Sequence, residues 1–310
     1  MFPPFDSANT LPRNGRKATC RTDDPASCGR RNARRAGSSR RQSPLTITYA
    51  FLRLRMKKVN IEKGSRQAGA RYRITVTETG PYLVYGQPPL AQQFIMPDAE
   101  GESWYFQEGA HFSTEDEPTA LCRCGASHKK PYCDGAHNDA AWDPQLTADD
   151  APLLDDAERI EGETLSMTDN PRYCVFARFC DAGGQAWSLV RRSENPEARN
   201  LAIREASMCP GGRLMAWDNE TEAPFEFRFE PSLGLIEDTA IDVSSGIWVR
   251  GGIPVSRQSG ATYEIRNRVV LCRCGASHNK PYCDGTHASV RFDDELEGVP
   301  EGETVPEHVY

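Results

Sequence analysis

The chain has no apolar run approaching the length of about eighteen residues that a membrane-spanning helix needs, and no stretch reads as a secretory signal. A phosphate-binding loop, a nucleophile elbow, a flavin fingerprint and a usefully spaced carboxylate pair are all missing too. These absences disfavour a membrane protein and give no support to a catalytic centre of its own. Basic side chains are missing from the end of the chain, where residues 293–310 carry seven acids and no Lys or Arg. That composition reads as an acidic, solvated tail.

What is present is unevenly distributed. The 310 residues, 38% hydrophobic and 26% charged, suffice for two or more small domains with real cores. Residues 1–55 hold twelve Lys and Arg against three Asp, whereas the rest is strongly acidic. The Arg, Ser and Gly of 1–55 cannot build a core. Three readings compete for this segment: a transit peptide to an organelle, a nucleic-acid-binding tail, and translation begun upstream of a natural start at Met56-Lys57-Lys58. The last is favoured, so Cys20 and Cys28 are given no role, nucleic acid is not an expected partner, and the expected location is the cytoplasm.

The other nine cysteines carry the argument. Leu121–His137, LCRCGASHKKPYCDGAH, and Leu271–His287, LCRCGASHNKPYCDGTH, are near-identical and 150 residues apart. Each has three cysteines and a histidine at C-x-C-x8-C-x3-H spacing. Thiolate and imidazole favour zinc, copper and iron-sulfur groups over hard cations. In an extended segment alternate side chains share a face, so Cys122 and Cys124 can serve one metal, with Arg123 turned away as an ordinary exposed residue. Asp134 reads as a helix N-cap, and one helical turn returns His137 beside Cys133. Two pairs result, one per iron of a two-iron group. Cys272 with Cys274, around Arg273, and Cys283 with His287 repeat the arrangement. Zinc accepts the same donors, but the C-x-C opening is unusual for it.

The pattern C-x-C-x2-S-x3-P-x-C-D-G-[SAT]-H resembles the CDGSH iron-sulfur domain family, and both copies match at every defined position, including Ser127, Pro131, Ser277 and Pro281. The resemblance implies two [2Fe-2S] clusters, one held by Cys122, Cys124, Cys133 and His137, the other by Cys272, Cys274, Cys283 and His287. Family members with one motif per chain commonly form homodimers, so two motifs in one chain imply an intramolecular pseudo-dimer and a monomeric protein.

The stretches before the motifs read as strands: Tyr72–Val76 by alternation, Tyr82–Tyr85 after a Gly80-Pro81 turn, and Ser103–Phe106. Gly246–Gly251 resembles Gly80–Gly86, and Tyr263–Ile265 stands where Trp104–Phe106 stood. The repeat therefore extends beyond the metal donors. The expected division is a first CDGSH unit over 56–145, an acidic linker over 146–170 with Leu153-Leu154 docking locally, a middle segment over 171–244, a second unit over 245–292, and the tail from 293.

The middle segment has Cys174 and Cys180 at C-x5-C, then a helix with Ser193 as N-cap and Ala198, Leu201, Ala202, Ala206 and Cys209 along one face, ended by Pro210-Gly211-Gly212. It resembles the divergent single-cluster ferredoxin-like domain. That resemblance implies Cys174, Cys180 and Cys209 as candidate ligands of a third cluster, [3Fe-4S] or [4Fe-4S], with Asp181 or a small ligand completing the latter. Only three cysteines are present, so a site with no metal and three structural thiols stays open.

The fold class expected is therefore β-rich α+β: two CDGSH-type units and a small ferredoxin-like insert. The function expected is one-electron transfer or the handling of iron and clusters, toward a redox or cluster-accepting protein. An electron-feeding component of an oxidoreductase and a zinc-dependent interaction module are the alternatives.

Overall fold

The computed structural model describes residues 71–298, together with Gly69 and Pro300. The basic segment 1–55, the alternative start at Met56 and the last ten residues lie outside the described residues. Among the described residues, no helix is long and apolar enough to cross a membrane.

The fold is α+β and rich in strands. β1 (Arg73–Val76) runs into β2 (Tyr82–Tyr85), and the expected alternation holds, with Ile74, Val76, Tyr82 and Val84 facing the core. A hairpin of β3 (Leu90–Pro97) and β4 (Ser103–Phe112) follows. β3 is invisible in the sequence pattern because Gln92 and Gln93 interrupt its apolar run, although both are buried. β5 (Thr119–Leu121) then pairs antiparallel with β2 and delivers the chain to the first cysteine motif.

The middle of the chain holds a four-stranded antiparallel sheet with two helices inserted between its second and third strands: β6 (Glu158–Glu161), β7 (Leu165–Asp169), α1 (Ala186–Val190), α2 (Pro196–Met208), β8 (Leu214–Asp218) and β9 (Pro224–Phe225). Ala198, Ala202 and Ala206 let α2 lie close on a core with Leu165, Met167, Leu189 and Leu214. The helix begins later than the sequence suggests. Asn195, not Ser193, is its N-cap, accepting from the Glu197 and Ala198 amides at 2.8 and 3.3 Å, while the Ser193 hydroxyl accepts from the Thr164 amide. Cys209 caps its C-terminus.

The last part comprises β10 (Ser232–Asp238), β11 (Val243–Arg250), β12 (Val255–Arg257), β13 (Arg268–Leu271) and α3 (Thr286–Val290). Tyr263–Ile265, read as a strand, lies outside any strand. Its start is nonetheless extended against β12: Thr262 bridges Ser256, the Tyr263 amide donates to Val255 O at 3.0 Å, and Tyr263 buries its ring and takes a hydrogen bond from Arg257 Nε.

The two halves exchange strands. One sheet runs β12-β1-β2-β5 and the other β13-β11-β10-β3-β4. β12 of the second half pairs parallel with β1 of the first, with Ile74 opposite Val255, and β3 of the first half pairs parallel with β10 of the second, with Leu90 opposite Leu233. Ile74, Val84, Leu90 and Leu121 consequently share one core with Leu233, Ile247, Val255 and Leu271.

Two domain limits change. The segment 146–170 is not an acidic linker throughout, since β6 and β7 lie within it and pair with the middle sheet. Three of its acids pair with arginines, Asp149 and Asp156 with Arg172 and Asp150 with Arg257, and Leu153 docks in the core while Leu154 stays exposed. β10, counted with the middle segment by its sequence position, pairs with β11 and so belongs to the second unit's sheet. The described start of the tail is held as well: Asp294 is buried and pairs with Arg273. Net acidity cannot distinguish a solvated carboxylate from one matched to a distant arginine.

Candidate metal centres

The cysteine motifs have the same backbone frame. In the first, the Cys122 amide donates to Pro131 O and the Cys133 amide to Ala120 O, at 2.8 and 2.9 Å, with a bridge between Leu121 and Tyr132. This antiparallel contact brings the C-x-C strand end beside the third cysteine. In the second, Cys272 donates to Pro281 O and Cys283 to Val270 O at the same distances, with Leu271 bridging Tyr282. The intervening turn is locked by a hydroxyl: Ser127 donates to Tyr132 O and accepts from the Lys129 amide, and Ser277 does the same with Tyr282 O and Asn279.

Asp134 is not a helix cap in the simple sense; Gly135 occupies that position before a short 3₁₀ turn at Ala136–Asn138. The Asp134 carboxylate spans two segments, accepting from the His128 and Ala136 amides at 2.8 and 3.0 Å. These backbone donors hold its pKa down at about 2. Asp284 does the same with His278 and Thr286. The turn places His137 Nδ1 3.4 Å from Cys133 Sγ, and His287 Nδ1 lies 3.4 Å from Cys283 Sγ. Cys122 and Cys124 stand 3.8 Å apart at sulfur, Cys272 and Cys274 3.7 Å. All eight predicted donor side chains therefore fall into four close pairs.

Metal binding needs thiolate and neutral imidazole. The close sulfur contact in each C-x-C pair pulls one thiol pKa down, that of Cys122 or Cys272, and pushes its partner, Cys124 or Cys274, up. Burial pushes Cys133 and Cys283 up. Burial, helped by the charge of Arg273, lowers His287 to about 4, so its ring is neutral at ordinary pH. Among the described residues no three His, Cys, Asp or Glu side chains converge on one ion-sized point.

Residues 79–138 and 245–288 each match the family model of the iron-binding zinc finger of CDGSH type. The chain carries this iron-binding domain twice. No curated protein and no solved structure gives a significant match to the chain. The first CDGSH match is longer because it includes the β3–β4 hairpin.

The arginines inside the CDGSH motifs are not exposed strand residues. Arg123 is 1% and Arg273 4% exposed. Arg123 donates to four carbonyls, those of Gly80, Pro144, Thr77 and Glu78, at 2.8–3.2 Å. Arg273 donates to Ser245 O and Ile236 O at 2.7 and 3.0 Å and pairs with Glu237 and Asp294. A C-x-C segment does turn its middle residue away from the sulfurs, but here it turns inward, where the guanidinium ties the motif to the preceding strands. The contacts also correct the repeat register. Gly86 and Gly251 correspond, but Gly80 corresponds to Ser245, not Gly246, because those two carbonyls accept from the equivalent Nε atoms.

The middle thiols lie outside both CDGSH matches. Cys174 follows a 3₁₀ turn at Pro171–Tyr173, Cys180 sits in another at Phe179–Asp181, and Cys209 ends α2. They are near enough to perturb one another: burial, then Asp181, Cys209 and Cys174, push Cys180 up to about 12. Cys180 Sγ is 3.9 Å from Asp181 Oδ2.

Sequence reasoning missed Tyr82, whose buried hydroxyl crosses from the first unit to donate to Cys272 O at 2.7 Å and Pro281 O at 3.1 Å. Only its place opposite Leu121 in the β2–β5 pair brings it there.

Proposed function

We propose that each CDGSH unit holds a [2Fe-2S] cluster, through Cys122, Cys124, Cys133 and His137 in one and Cys272, Cys274, Cys283 and His287 in the other, and that the protein acts in one-electron transfer or cluster handling. The observation that carries this reading is the pairing of the donors. A tetrahedral metal with thiolates at about 2.3 Å sets two sulfurs about 3.8 Å apart, the spacing of Cys122–Cys124 and Cys272–Cys274. Two pairs per site, one per metal, suit a two-metal group. When bound, such a group supplies one-electron uptake and release. The residues supply position: the paired Cys122–Cys124 and Cys272–Cys274 sulfurs, His287 as a neutral ring, and Ser127, Ser277, Asp134 and Asp284 as braces of the turns.

The reciprocal strand exchange supports an intramolecular pseudo-dimer, and with it a monomeric chain. A third site in a ferredoxin-like middle unit, on Cys174, Cys180 and Cys209, is proposed on their C-x5-C spacing and the cysteine at the end of α2. Thiolate sites favour a reducing compartment, with cytoplasm as the location and a redox or cluster-accepting protein as the partner.

The test is iron, zinc and acid-labile sulfide per chain, on full-length protein purified without oxygen. About four irons and four sulfides are expected for two [2Fe-2S] clusters. Seven or eight irons add a cluster on the middle thiols. Colourless protein containing zinc overturns the redox reading.

A further inference from the structure

The CDGSH sites share one frame and differ in what lies over them. At the first, Cys133 and His137 are half-buried. At the second, Cys283 is 3% and His287 2% exposed. The difference is visible at the glycine between cysteine and histidine. A Cβ on Gly285 would stand 3.2 Å from both Cys174 O and Phe176 Cβ, whereas one on Gly135 would meet only Asn138 of its own turn, at 3.8 Å. The middle segment, through Cys174–Arg178, covers the second site and leaves the first without an equivalent.

That cover is held under load. Phe176 and Arg178 both adopt left-handed backbone, at φ 55° and 61°, a conformation that non-glycine residues disfavour. Something must over-determine it. Arg178 grips Asp238 with two hydrogen bonds, Nη1 to Oδ2 at 2.7 Å and Nη2 to Oδ1 at 2.9 Å, and the Asp238 side chain is almost fully buried on β10. On either side of Phe176, Val175, Ala177 and Phe179 insert into the core that also holds Trp248, Val270 and Cys283.

We infer that residues 174–178 are a lid over the second CDGSH site, latched by Arg178 and Asp238, so that the second site retains its group and the first is the one through which the chain exchanges electrons or cluster units. The inference rests on the cluster reading of both sites. Retention follows from geometry: a chelator or an acceptor protein must reach the histidine-bound side, and at the second site that approach is covered.

The full chain, as purified with iron, is mixed with an excess of an iron chelator at fixed pH, and loss of the visible absorption and release of iron are followed together. The two CDGSH sites are expected to give two phases of equal amplitude, differing at least tenfold in rate; iron on the middle thiols is a separate phase that neither histidine variant moves. The His137→Cys variant changes the fast phase and His287→Cys the slow one. In Arg178→Gln the slow phase accelerates toward the fast one while the fast phase stays as it was. Release of all iron in one phase, the reverse assignment by the histidine variants, or a slow phase unmoved in a folded Arg178→Gln protein overturns the lid. Should Arg178→Gln fail to fold, the histidine variants still decide. Protein that carries zinc or no metal fails at the cluster reading, before the lid is tested, and removes both.

Discussion

Gly275 presses against Cys124: a Cβ on Gly275 would stand 2.3 Å from the Cys124 carbonyl oxygen, and one on Gly125 would stand 2.6 Å from that of Cys274. Both glycines adopt positive φ, 76° and 81°. The C-x-C-G turns of the two units thus meet back to back, each occupying the space that a side chain on the other would need.

Gly275→Ala therefore disturbs both sites at once. Left-handed backbone and the clash together are expected to destabilise the fold by about 2–5 kcal/mol. Iron per chain falls at both sites rather than one, as metal analysis combined with a denaturation midpoint will register.

Arg123→Met removes the guanidinium donors to the Gly80, Pro144, Thr77 and Glu78 carbonyls. With buried acceptors left unpaired, a loss of about 2–4 kcal/mol is expected. Urea unfolding with an unchanged slope and a lower midpoint is the expected record. Arg273→Met costs more, because Glu237 and Asp294 would be left as a buried acidic pair without their cation.

Tyr82→Phe keeps the ring and deletes the hydroxyl that Cys272 O and Pro281 O share. A loss of about 1–2 kcal/mol is expected. Although the residue belongs to the first unit, iron loss under chelator quickens in the second, a direction that site-resolved spectra of His137→Cys and His287→Cys backgrounds can read.

Glu205 gives the pH dependence. It is 0% exposed, its Oε1 accepts from the Gly183 amide at 2.7 Å, and its Oε2 has no hydrogen-bond partner among the described residues. Burial lifts its pKa from an ordinary 4.5 to about 8. The native state thus holds a proton that the unfolded chain releases. Its contribution is intact below about pH 4.5 and declines as pH rises through about 8. Glu205→Gln keeps the Gly183 acceptor and removes the titration. The variant is expected to match wild type near pH 5 and to exceed it at pH 8 by on the order of 3 kcal/mol, measured by chemical denaturation at the two pH values. Equal gaps at both would mean that Glu205 does not titrate over this range.

The cysteine motifs, the His137 and His287 returns, strands β1 and β2, and helix α2 follow from the sequence alone. Their determinants are local: alternate residues share a face in an extended chain, one turn brings residues four apart together, and a capping residue with proline starts a helix. Nine of the cysteines need no tertiary information to be singled out. The strand exchange, by contrast, depends on which partner offers a free edge to β3 and β12, and Gln92-Gln93 disguise the first of these. The inward turn of Arg123 and Arg273 was decided by carbonyls and carboxylates up to 46 residues away in sequence. The unequal cover of two near-identical motifs could not be written in the motifs themselves. It comes from Arg178 reaching Asp238 across 60 residues of chain, because burial belongs to what packs on a site and not to the residues that make it.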